Sequence, residues 1–180
     1  MFKLQRRNKS LEQRLITKPR IMEMPSSLST RLQYQHKSLV DIIDGLSDEQ
    51  VRRQIVAGKW SIFENIVHLQ TYQHTFVSRI KQILENTNPI FSSYTAEADP
   101  EFLDNCSKST REIMQDLITV RKQMAAEMTS FPLSDLIKTG IHPVFGKMTL
   151  LQWLNFFLLH EAHHLFTNFK LAAELRKVVS

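Results

Sequence analysis

Apolar residues recur at steps of three and four along most of this chain, and little interrupts them: its 180 residues include only 4 Gly and 6 Pro. So few chain-breakers speak against a many-turned β-sandwich and for long helices. A first helical stretch is predicted over residues 26–44, with Leu28, Leu32, Leu39, Ile42 and Ile43 at helical spacing and Gly45 as a left-handed terminator. A second starts at Ser61, which forms a capping box with Glu64, and carries Ile62, Ile66, Leu69, Phe76, Ile80 and Ile83 to about Asn86. Residues 86–98 read as a long loop. Asp99 then caps a third helix with Pro100 at its first position. Leu103, Cys106, Thr110, Ile113, Leu117, Val120 and Met124 form one seam there, with Cys106 as a small buried hydrophobe. Residues 130–147, with Pro132, Gly140, Pro143 and Gly146, read as a second loop, and Thr149 begins a last, broadly apolar helix. With no strand pattern between them, these four helices imply an all-α four-helix bundle with long connecting loops, long enough to permit a crossover.

Charge divides the chain into two parts. Residues 1–20 carry seven basic side chains (Lys3, Arg6, Arg7, Lys9, Arg14, Lys18 and Arg20) against the single acid Glu12, which leaves 16 basic and 17 acidic residues in the remaining 160. The net charge of +5 therefore belongs to the N-terminus. Residues 1–23 are read as a solvated basic arm, or as an early start ahead of Met22 or Met24, and residues 24–180 as the bundle domain. A nearly neutral body without a helix-turn-helix cue makes nucleic acid an unfavoured partner. The single cysteine excludes an internal disulfide framework and a Cys-rich zinc finger, and fits a reducing compartment. There is neither an apolar run of membrane-spanning length nor a signal-peptide pattern, so a cytoplasmic address is expected.

Chemistry concentrates in the histidines. Three of the seven fall in the segment Leu159-His160-Glu161-Ala162-His163-His164. Residues four apart share a helix face, so His160 and His164 can hold one ion between them, on the arc of Trp153, Phe157, Leu171 and Leu175. His163 falls on the polar arc of Gln152, Lys170 and Glu174. The string His160-Glu161-x-x-His164 is also the core of a zinc-protease signature. Its extended form needs Gly and His where Thr167 and Lys170 stand, and only 16 residues follow His164 to supply a distant third ligand. Glu161 is the one catalytic candidate; near the middle of the apolar face, it is equally a buried hydrogen-bonding partner. His68, on the flank of the second helix's stripe, is placed to reach an interhelical cavity as a third ligand. His36 reads as a satisfied near-core residue. His74 lies on the opposite flank from His68, and His142 opens a His-Pro-x-Phe-Gly turn near the site mouth.

Three segments taken together, Trp60-Ser61-Ile62-Phe63-Glu64-Asn65-Ile66-Val67-His68-Leu69, then His142-Pro143-Val144-Phe145-Gly146-Lys147-Met148-Thr149-Leu150, then His160-x-x-His163-His164, resemble the DinB-like family of four-helix bundles. The resemblance covers residues 24–173. It implies a divalent metal held by His68, His160 and His164, and a relation to thiol-dependent transferases. Leu165, Phe166 and Thr167 depart from the family, which often has a small residue and a glutamine there.

Three imidazoles suit zinc or nickel, with manganese or iron as further options, and leave a position open for substrate. A thiol or water in that position loses its proton more readily, giving a nucleophile at neutral pH. The resemblance implies transfer of a low-molecular-weight thiol onto a small electrophile, in stress response or detoxification. A metal-dependent hydrolase and a non-catalytic metal-binding stress-response protein are the alternatives. Trp60, Tyr72 and His142 are candidates for touching the substrate, and the broad apolar surface of the last helix could support a homodimer. Because residues 1–20 lack a sustained apolar stripe, deleting them is expected to leave the melting temperature and metal content unchanged. A large drop in melting temperature would show that the segment is structural.

Overall fold

The structure is a computed structural model and describes residues 24–177; the basic arm and the last three residues lie outside the described part. Where the sequence pattern is unbroken, the helices follow it. Helix α1, Ser26–Tyr34, passes through one 3-10 turn at Gln35–Lys37 into α2, Ser38–Ile43. A short α3, Asp48–Arg52, precedes α4, Ile62–Glu85; α5, Pro100–Asn105, precedes α6, Thr110–Met128. A single-turn α7, Leu133–Leu136, leads to the strands β1, Thr139–His142, and β2, Gly146–Thr149, and α8, Leu150–Lys177, closes the described chain. The capping box of Ser61 and Glu64 forms as expected, as does the Asp99 cap with Pro100 at the first position. Gly45 takes the left-handed conformation, at φ 74°.

Five expectations need correcting. The first stretch is not one helix, since the 3-10 turn breaks it and buries His36. His36 is near-core but not satisfied: its Nδ1 finds no partner among the described residues, and burial, with Arg121 nearby, lowers its pKa to about 4. The third helix is also two. Ser109 and Glu112 form their own capping box and start α6 afresh, so the seam does not run through; Leu103 is 58% exposed and Cys106 only half-buried. The second loop holds α7 and an antiparallel hairpin pairing Thr139 with Thr149 and His142 with Gly146. Finally α3, with its own Ser47 and Gln50 capping box, stands between the first two predicted stretches, where no helix was expected.

The bundle has an apolar cluster at each end. One holds Leu28, Leu32, Phe76, Ile83, Met124, Trp153 and Phe157; the other holds Leu39, Ile66, Leu69, Ile113, Leu117, Leu165 and Leu175. From the order of these residues, α4 and α6 run in one direction, and α8 runs the other way with the α1–α2 arm. The chain connecting the parallel α4 and α6 must therefore cross the length of the bundle, over residues 86–109. The α1–α2 arm packs chiefly on α6 and α8. No helix among the described residues is long and apolar enough to cross a membrane.

Between the two apolar clusters lies a polar layer with one contributor from each long element. Arg121 of α6 pairs through Nη2 with Glu161 of α8, and both side chains are fully buried. Arg121 Nε donates to Gln73 Oε1 of α4 at 2.7 Å. Gln35 in the first arm donates to Glu161 Oε2 and to the Leu158 carbonyl, both at 2.8 Å. Glu161 is thus a buried hydrogen-bonding partner and is not placed to serve as a base. Replacing one member of a buried pair leaves an uncompensated charge, so Arg121→Met is expected to cost about 3–5 kcal/mol in urea unfolding. Arg121→Met with Glu161→Gln, which buries no charge, should recover part of that. A single-variant loss under about 1 kcal/mol, the range of an exposed pair, would contradict the assignment.

Candidate metal centre

The same layer opens on its other side onto three imidazoles. His68 projects from α4, and His160 and His164 from successive turns of α8. Their ring centroids lie 4.5 to 5.0 Å apart, and one nitrogen from each falls within 4.8 Å of the others. His68 Nε2 and His160 Nε2 are 3.0 Å apart, close to the roughly 3.3 Å that separates two nitrogens on a tetrahedral ion with bonds near 2.0–2.1 Å. His68 and His164 are buried, and His160 is half-buried. Burial lowers all three pKa values to about 3, with the neighbouring histidines adding to the effect. Near neutral pH the rings are uncharged and their lone pairs are free. This donor set fits a divalent metal ion.

Aromatic rings surround the cluster. Trp60 lies 5.0 Å from the His68 ring and stacks at 6.1 Å on His164, and Tyr72 lies 4.5 Å from His160. Three contributors were not read from the sequence. Tyr94, brought by the crossover, lies 5.8 Å from His68; Phe156 lies 6.3 Å from His160; and Asn65 Oδ1 lies 2.8 Å from His164 Nδ1. Helical phase could have found Phe156, one turn before His160, and Asn65, one turn before His68. Tyr94 sits in irregular chain, where no periodicity points to a side chain's direction.

The remaining histidines stand apart from the cluster. His163 is exposed and meets only the edge of the His164 ring. His142 Nδ1 accepts the amide hydrogens of Val144 and Phe145, which makes it a turn residue; its ring reaches Phe156 but not the cluster. His74 pairs with Asp116 at the surface. Phe166, the bulky departure, is 61% exposed under the ammonium of Lys170.

A groove of about 650 Å³ adjoins the cluster, between the chain at Ile55–Trp60 and α8; Ile55, Val56, Trp60, His164, Thr167 and Lys170 contribute to its walls. A larger groove of about 910 Å³, beside Arg79 and Tyr94, contains none of the three clustered histidines.

Residues 31–167 match the DinB superfamily. The chain belongs to that family. It is 30% identical over 135 residues to the uncharacterized protein YuaE of Bacillus subtilis (strain 168), covering 68% of this chain and 83% of YuaE. Its fold is similar, at a TM-score of 0.73 and 18% identity, to that of YfiT from Bacillus subtilis, described as a probable metal-dependent hydrolase with an unusual four-helix bundle topology. That likeness covers 83% of this chain and 86% of YfiT.

His160→Ala, His164→Ala and His68→Ala should each weaken zinc binding, measured by calorimetry, beyond the roughly 10- to 100-fold that loss of an outer-shell partner costs. His163→Ala should change affinity little. Retention of metal by His160→Ala alongside its loss in His163→Ala would overturn the assignment.

Proposed function

We propose that this protein is a divalent-metal-dependent enzyme that transfers a low-molecular-weight thiol onto a small electrophile, in stress response or detoxification. The observation that carries this is the cluster of three neutral imidazoles beside an apolar-walled groove. Three protein donors leave a coordination position open, as a catalytic site needs and a closed structural site does not. An ion bound there, zinc or nickel in our reading, supplies the Lewis acidity that lowers the pKa of a thiol or water in that position.

The chain's own residues do the rest. His68, His160 and His164 would hold the ion without carrying charge themselves, which would leave its full positive charge to act on a bound thiol or water. Trp60 and Tyr72 lie against the imidazoles and keep bulk water off two of their faces. Ile55, Val56 and Trp60 offer an apolar wall to the body of an electrophile, with Lys59 and Lys170 at the groove. Glu161, the carboxylate beside His160 in sequence, is engaged by Arg121 and Gln35 and is unavailable to activate a water. A thiol, which needs only its own proton lost, suits such a site better than a hydrolytic water does. Metal-dependent hydrolysis is the second reading, favoured by the structural likeness to YfiT. The outward face of α8, where Leu159, Phe166 and Phe169 are exposed, supports a homodimer.

Elemental analysis of the purified protein, beside a screen of thiols with electrophilic acceptors and of ester and amide substrates, tests the proposal. We expect about one divalent ion per chain and thiol-dependent turnover that is lost on chelation. Turnover of esters or amides without a thiol would replace transfer with hydrolysis. Metal without any turnover would make the protein a non-catalytic binder.

A further inference from the structure

The three clustered histidines differ in how their second nitrogen is held. Among the described residues, His68 Nδ1 and His160 Nδ1 are buried without a hydrogen-bond partner, whereas His164 Nδ1 lies 2.8 Å from Asn65 Oδ1. The sense of that contact follows from the next one along. Asn65 Nδ2 donates to the Ser61 carbonyl oxygen at 2.8 Å, and a carbonyl only accepts, so the orientation of the amide is decided. The end that faces His164 is then the oxygen, which also only accepts. His164 Nδ1 must carry the proton.

We propose that Asn65 is a positioning residue that locks His164 in the Nδ1–H tautomer, leaving the Nε2 lone pair to face His68 and His160. Its purpose rests on the metal-centre reading above, while its geometry does not. In water, a neutral histidine carries its proton mostly on Nε2, the nitrogen needed here as a donor of electrons. Asn65 reverses that preference at one ligand. A hydrogen bond of this kind also orients the ring and raises the basicity of the coordinating nitrogen.

The support for Asn65 is local and rigid. Its side chain is buried, and the Ser61 carbonyl that it grips also accepts the Asn65 backbone amide, at 3.2 Å. Ser61 is the N-cap of α4 and is itself clamped by Glu64, whose carboxylate accepts the Ser61 amide at 2.7 Å. The start of α4 therefore works as a bracket. It offers His68 as a ligand from one residue and, three residues earlier, fixes a ligand that belongs to α8. Trp60, stacked on the His164 ring, restricts the ring flip that would break the contact.

Two measurements test this. Long-range proton–nitrogen correlation spectra of metal-free, nitrogen-15-labelled protein at about pH 8 should show His164 with its proton on Nδ1. In Asn65→Leu the proton should move toward Nε2. Competition with a chromophoric chelator should then show zinc affinity falling about 10- to 100-fold in Asn65→Leu, as for other outer-shell losses. Asn65→Asp, which keeps an acceptor oxygen, should recover most of it, and His163→Ala should match wild type in both measurements. Circular dichroism checks that each variant folds. The wild-type spectrum alone overturns the proposal if His164 carries its proton on Nε2, as does a folded Asn65→Leu with unchanged zinc affinity. If the wild type takes up no zinc, the metal reading falls, and the His164 tautomer by itself decides the role of Asn65.

Discussion

The buried ion pair between Arg121 and Glu161 is the contact on which the interior of this bundle is organised. Neither charge can remain in the core alone, so α6 and α8 must meet at this level or leave both unpaired. Gln73 and Gln35 add α4 and the first arm to the same point. Apolar packing above and below tolerates small slips between helices; a charged pair with directional hydrogen bonds does not. This layer thus sets the height at which α8 sits beside α4, and with it whether His160 and His164 lie opposite His68.

Adjacent residues in α8 serve opposite sides of that layer. Glu161 turns into the core and is neutralised by Arg121, while His160, one position earlier, faces the aromatic side with His68. The two halves follow different electrostatic rules. On one side a formal charge is kept in the interior because its partner is fixed. On the other, burial removes charge altogether and leaves three basic but neutral nitrogens. A carboxylate among those imidazoles would reduce the electrophilic character of an ion held there. Its engagement elsewhere preserves that character.

Helical phase made much of this legible. Ser61 with Glu64, Asp99 with Pro100, and Gly45 are local signals, and each governs a local event. The facing of His160 and His164, and the outward turn of His163, follow from a rotation of about 100° per residue, which sequence reports directly. What escaped was either a break hidden in continuous periodicity or a contact made at long range. Leu103, Cys106, Thr110 and Ile113 keep the spacing of a single helix through the interruption, and only Ser109 with Glu112 marks the restart. No local signal marks Arg121, whose partners are 40 and 48 residues away in the chain. Tyr94 reached the site on irregular backbone, which has no period to read. The short hairpin was likewise set by pairing rather than by composition.

The crossover between α4 and α6 also orders events in time. His68 and His160 are separated by 92 residues, and His164 and Asn65 by 99, with the crossover lying between them in sequence. Contacts so distant form only after the intervening chain has closed, which makes them late steps in folding. A chain emerging from the ribosome exposes His68 long before α8 has been synthesised. Through that interval it offers isolated imidazoles and no chelating site. An ion held by all three would therefore be acquired by a finished bundle, from whatever metal pool that bundle meets.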